Sequence, residues 1–388
     1  MPSKSIDALI EPKILIWARK SIGLSIQEVA KKIKASEDIV IKWELGDKKP
    51  TLTQLKRLTN IYKRPLALFY SPQPPKEASL PKDFRNLTED KRIPFSTKTL
   101  LVIRQVRRLQ FLATELANIL NYKFPLKISK IDQSENPENI AIKVREQLGI
   151  KISKQLYEWK NSNDAFNYWK KIIEKKGIFI FQISMPINEI RAFSMLENGL
   201  PSIVLNTKDS INGRIFSLLH ELGHLLLNKS GICDMDEPNY SSAEIKSVEI
   251  FCNHFAGAIL VPKETLLNCK LIKITDEYSD DILEKVSKEF KVSKEVILRR
   301  LLIFRKITEN FYKEKRKEWR IKEEGIQKSG GWGIDTPRKC IRDKGLPFIS
   351  LVLETYRRDK ITYPETLDYL SIRIKHLYEL EQLIKNKA

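Results

Sequence analysis

Cysteine and histidine are both scarce in this chain, with four of each in 388 residues. The cysteines (Cys233, Cys252, Cys269 and Cys340) form no C-x-x-C pair and no dense framework. That excludes a disulfide-stapled secreted scaffold and points to a reducing compartment. No apolar run reaches the roughly 18 residues a helical membrane span requires, and Met1 to Lys20 has scattered charges where a signal peptide would carry an apolar core. The expectation is a soluble, cytoplasmic protein with no membrane partner. Acidic residues are also short, 49 against 69 basic ones, for a net charge of +20. Such a surplus favours long-range attraction to polyanions, weakened by salt. Lysine is abundant along the whole chain, however, so charge alone assigns no partner.

Two of the four histidines lie four residues apart in Phe216-Ser-Leu-Leu-His220-Glu221-Leu-Gly-His224-Leu-Leu-Leu227, an apolar stretch without proline. On a helix, residues at that spacing stand one turn above each other on one face, so both imidazoles can be aimed at a single ion. Glu221 lies about 100° around from His220, placed to reach a water on that ion without serving as a ligand. With so few histidines, a chance H-E-x-x-H is expected on the order of once in a hundred such sequences or less. The pattern therefore reads as a metal site, and zinc is the expected metal. Manganese or iron suits similar donors.

A catalytic zinc takes three protein ligands and leaves one position open. Glu249 is the candidate third ligand. It sits in Val248-Glu249-Ile-Phe-Cys252-Asn253-His254-Phe255-Ala256, a second helix-like run that stops at Val261-Pro262. On that helix Glu249, Asn253 and Ala256 are expected to share a face, with Asn253 in a supporting hydrogen-bonded position. Rival ligands are Cys252 and His254, which the helix period is expected to turn away, and Cys233, Asp234 and Asp236 in the loop between the two runs.

H-E-L-G-H followed by Glu249-x-x-Cys252-Asn253-x-Phe255-Ala256 and a closing Val261-Pro262 resembles the ImmA/IrrE family of zinc metallopeptidases. The family pattern has alanine where this chain has Cys252. The resemblance implies His220, His224 and Glu249 as zinc ligands and Glu221 as general base. It also implies a repressor-like protein as substrate, since members are associated with cutting a partner transcriptional repressor. The oxyanion-stabilising donor is not identified; His254 and Tyr240 are candidates.

Residues 13–65 read as a bundle of short helices. Ser25 caps a helix with Glu28 completing a capping box, and Ser36 caps another that ends at Gly46. The first seventy residues resemble the Xre/Cro helix-turn-helix family, including the run Ile41-Lys-Trp-Glu-Leu-Gly-Asp-Lys-Lys-Pro-Thr51. That resemblance would place the Ser36 helix in the DNA major groove. Lys34 stands at a turn position that usually holds glycine, and Glu37 and Asp38 open the recognition helix, where carboxylates repel phosphate. DNA contact and protein contact both stay open for this domain.

Ser71-Pro-Gln-Pro-Pro begins a stiff linker, and Ser96 to Leu120 reads as a long amphipathic helix with Arg104, Arg107 and Arg108 on its polar side. Residues 138–149 and 163–176 read as helices. Strands are expected at Gly177–Ile183, Ile190–Met195 and Pro201–Asn206, forming a small antiparallel or mixed sheet. Ile203 to Asn206 is the candidate edge strand beside the metal helix. Asp281 to Leu302 resembles a second helix-turn-helix with Val292-Ser293 at the turn, used for packing. Gly330-Gly-Trp332-Gly333 reads as a linker, and residues 338–385 as two or three helices.

The expected fold is α+β, mostly α. Residues 1–70 form the helix-turn-helix domain, 71–95 a proline-rich linker, 96–322 a zincin-like metallopeptidase domain with a small sheet, and 323–388 a linker with a small helical module. The expected function is a zinc-dependent endopeptidase. The alternative is a DNA- or protein-binding, antitoxin-like regulator with a non-catalytic peptidase fold.

Overall fold

The computed structural model describes residues 6–76, 95–122, 128–196, 200–228, 242–274, 277–324 and 335–385. The expectations placed on residues 77–94, on the Gly330–Gly333 linker, on Cys233, Asp234 and Asp236, and on Tyr240 lie outside the described residues. No described helix is long and apolar enough to cross a membrane. The chain forms two compact units, residues 1–80 with 86–105 and residues 81–85 with 106–388.

The first unit holds α1 (Pro12–Lys20), α2 (Ile26–Ile33), α3 (Glu37–Leu45), α4 (Leu52–Tyr62) and the start of α5 (Thr97–Ile119). The predicted caps are present. Ser25 and Glu28 exchange backbone hydrogen bonds at the start of α2, and the Ser36 hydroxyl accepts from the Ile39 amide at the start of α3. Lys34 closes α2 in the left-handed region, at φ 60°. Ile14, Val29, Val40, Trp43, Leu55 and Leu58 fill the core between these helices. A buried fork, Arg19 to both oxygens of Glu44 at 2.7 and 2.8 Å, ties α1 to α3.

The second unit continues with α6 (Pro137–Leu148), a π-helical turn at Lys154–Glu158, α7 (Ser162–Lys175) and three strands, β1 (Phe179–Ile183), β2 (Ala192–Met195) and β3 (Ser202–Asn206). It then runs through α8 (Ile211–Leu226), α9 (Ser242–Leu260), α10 (Lys263–Leu267), α11 (Lys270–Lys273), α12 (Asp280–Phe290), α13 (Lys294–Ile303) and α14 (Glu309–Glu324). It ends with α15 (Thr336–Arg357), α16 (Tyr363–Leu370) and α17 (Leu377–Lys385). The result is mostly α with one small mixed sheet, as expected.

The strand order is β1-β3-β2, with β3 parallel to β1 and antiparallel to β2. This corrects the edge assignment: β3 is the central strand, and β2 is an outer one. Proximity in sequence to the metal helix misled the reading, because the β3–α8 connection leaves from the middle of the sheet. Every residue of β3 is buried, as suits a strand paired on both sides. α15 packs along β1, where Phe348 meets Phe181 edge-on at 6.0 Å and the Gln182 amide donates to the Arg342 carbonyl. At Gly345 (φ 75°) α15 kinks, and a Cβ there would lie 2.9 Å from the Ile180 carbonyl oxygen. The kink lets α15 follow the strand closely.

Candidate metal centre

α8 lies against α9, and also against β2 and β3. The glycine of H-E-L-G-H explains how closely the two helices approach. A Cβ on Gly223 would lie 3.0 Å from the Phe255 ring and 3.3 Å from the Cys252 sulfur. With no side chain there, α9 comes near enough for Glu249 to reach the histidines of α8.

His220 Nε2 lies 3.1 Å from His224 Nε2, 3.4 Å from Glu249 Oε2, and His224 Nε2 lies 2.9 Å from Glu249 Oε1. All three residues are buried. Among the described residues they form a group whose donor atoms fall within 4.8 Å of one another. Four ligands placed tetrahedrally at about 2.0–2.1 Å from zinc stand roughly 3.3 Å apart, so these separations match three corners around one ion. The donor set is also right, with two imidazole nitrogens and a carboxylate facing one point. Burial works against charge on Glu249, yet the two imidazoles hold its carboxyl well below the ordinary range. Burial likewise opposes charge on His224. Cys252, Glu249 and Glu221 outweigh it and raise its pKa well above that of a free imidazole.

Glu221 is buried, and its Oε2 accepts a 2.8 Å hydrogen bond from the hydroxyl of Ser194 on β2. The Phe216 ring lies one turn above His220, centroids 6.2 Å apart. Cys252 corrects the helical-face expectation. It is not turned away: three residues past Glu249 is nearly a full turn, and its buried thiol interacts with His224 and packs under Gly223. Asn253, expected as the support for Glu249, is solvent-exposed. The buried face of α9 centres on Cys252, Phe255, Ala256 and Ile259, which leaves Asn253 on the other side.

His254 belongs to a different cluster. Its Nε2 lies 2.6 Å from Glu138 Oε1, and the fully buried Arg300 forks onto both oxygens of Glu138. Burial would raise the Glu138 pKa, but Arg300 and His254 bring it down to about 2. The same arginine caps α9, donating from Nε to the Val261 carbonyl at 2.9 Å. Arg145 caps Ile259 and Gln155 caps Leu260, at 2.6 and 2.9 Å. Three consecutive carbonyls at the end of α9 are thus held by side chains from α6, the π-helical turn and α13.

Residues 173–302, which contain His220, Glu221, His224 and Glu249, match the model of the IrrE N-terminal-like domain. That part of the chain is similar to an IrrE N-terminal-like domain. Residues 15–69 match the helix-turn-helix model. The two matches together support a metallopeptidase-like protein with a helix-turn-helix domain, as both resemblances implied. Comparison with curated proteins gives no match. Within the IrrE N-terminal-like domain, Ser194 and the Cys252–His224 contact were missed in the sequence. The signal for Ser194 was available: a hydroxyl in a buried apolar strand requires a partner.

Proposed function

We propose that this protein is a zinc-dependent endopeptidase that cleaves a repressor-like protein. The observation that carries the reading is the convergence of His220, His224 and Glu249 at tetrahedral-edge separations, with Glu221 beside them. Those three residues would hold the ion. When bound, zinc supplies the Lewis acidity that polarises a scissile carbonyl and acidifies water. Glu221 takes the proton from the attacking water and hands it to the leaving amine. The Ser194 hydroxyl holds one oxygen of Glu221, leaving the other for proton transfer. Burial excludes bulk water from these groups and strengthens each charge interaction among them.

The helix-turn-helix is the part that meets DNA or a protein partner. A specific observation favours protein contact. The only cation on α3, Lys42, lies 2.9 Å from Asp38, while Ile41 and Leu45 are exposed one turn apart, at 39% and 69%. Phosphate contact calls for cations, and base reading for polar forks.

The test is to purify wild type and Glu221→Gln, measure bound zinc, and incubate each with the repressor-like protein encoded beside it. Both forms should hold about one zinc, and the variant should cut roughly 10²–10⁴-fold more slowly. Zinc in both with no cleavage by either supports the reading in which the peptidase fold only holds a partner.

A further inference from the structure

We infer that Ser194 is a positioning residue for the general base Glu221, an inference that rests on the peptidase reading above. The two residues are 27 positions apart and on different elements, β2 and α8, yet their side chains meet at 2.8 Å and both are buried. A buried carboxylate needs donors to keep its charge and a single orientation. Glu221 has three side-chain torsions, and the histidine on its N-terminal side fixes none of them. The hydroxyl of Ser194 pins Oε2, and with it the plane of the carboxylate, so that Oε1 is the oxygen offered for proton traffic.

The placement of the donor supports this role. Ser194 lies in the register of β2 opposite Ile203 of the central strand, so its Cα is fixed by sheet hydrogen bonding. A donor on a strand holds its bearing more tightly than one on a loop. The two residues before and after it, Phe193 and Met195, are buried in the opposite direction of the pleat, which denies β2 the freedom to rotate. A purely stabilising role for the hydroxyl would make the same bond, so the test must read the base and not the fold.

Acetohydroxamic acid is a suitable probe, because it chelates zinc in two-point fashion and gives up a proton that a neighbouring carboxylate must accept. Azide binds zinc through one atom and needs no such acceptor. The key pair of variants is Ser194→Thr and Ser194→Val, close in shape, both suited to a strand, and differing in a hydroxyl against a methyl group. Ser194→Ala and Glu221→Gln complete the set. Zinc content is measured first, then the binding of each probe to the zinc-loaded proteins by calorimetry.

The expected result is one zinc in every variant and azide binding equal across the Ser194 variants. Acetohydroxamate binding should be about ten-fold weaker in Ser194→Val and Ser194→Ala, the lower end of what lost supporting hydrogen bonds cost at metal sites, and near wild type in Ser194→Thr. Equal acetohydroxamate binding by the threonine and valine variants overturns the role of Ser194 while leaving the zinc reading intact. A wild type that takes up no zinc overturns both. If the alanine variant does not fold, the threonine–valine pair alone decides.

Discussion

The chain contains two helix–turn–helix hairpins with the same joint. α2 ends at Lys34 and α12 at Lys291, both left-handed (φ 60° and 56°), and two residues later Ser36 and Ser293 cap the next helix by accepting from Ile39 and Val296. Beyond the joint they diverge. Counting from the left-handed lysine, Ile41 matches Leu298 and Trp43 matches Arg300. Ile41 is exposed where Leu298 has no exposure at all. The outer side of α13 is covered by α14: Lys294 lies over the Trp319 ring, Arg299 over the Tyr312 ring, and Arg316 pairs with Glu295 at 2.8 Å. The turn chemistry makes the hairpin; the composition of its second helix decides whether it is a surface or a strut.

The largest test of that contrast is at the Trp43/Arg300 position. Arg300→Met leaves the Glu138 carboxylate with His254 alone and uncaps Val261, and should cost the second unit about 3–5 kcal/mol. Adding Glu138→Gln should recover part of that loss, measured by denaturant unfolding of single and double variants. Leu298→Ala should cost about 2–5 kcal/mol and Ile41→Ala under about 1 kcal/mol; equal costs would break the comparison.

Acid should separate the hairpins as well. Glu138 has a folded pKa depressed to about 2, so its charge stabilises fully above the ordinary carboxylate value near 4.5 and is lost as pH falls through about 2. Wild type should therefore exceed Glu138→Gln in stability at pH 7, with the gap closing between about pH 4.5 and 2. Trp43 brings no such dependence to its position. The smallest effect is at the joint itself: Lys34→Gly relieves an exposed left-handed residue and should stabilise by about 0.5–1 kcal/mol, whereas Lys291→Gly also gives up the bonds from its ammonium to the Leu156 and Glu289 carbonyls and should lose that gain, a difference read in amide-exchange protection.

The candidate metal ligands were legible because the relevant distances are local. Four residues on one helix fix His220 and His224, and a short apolar run ending at proline fixes α9 and so offers Glu249. The helix caps were legible for the same reason. What sequence reading missed depends on pairing between distant elements. Strand order follows from how three short segments share hydrogen bonds, and nothing within Ile203–Asn206 tells a central strand from an outer one. Cys252 was misplaced by reading the helical period too coarsely, since three residues along bring a side chain back to nearly the same side. Ser194 and Glu221, like Arg300 and Glu138, become partners only once the sheet and helices have packed.

The three side chains that end on Ile259, Leu260 and Val261 have a consequence for how the proposed ion would enter. A slip of α9 by one residue would carry Glu249 about 1.5 Å along its axis and about 100° around it, and all three anchors would have to let go together. The register of α9 is thus locked from its far end by groups outside the candidate metal site. The seat is built before its occupant arrives. Unlike small zinc domains that fold only around their ion, this protein should keep its helical circular dichroism when a chelator strips the site, and should take the metal back without refolding.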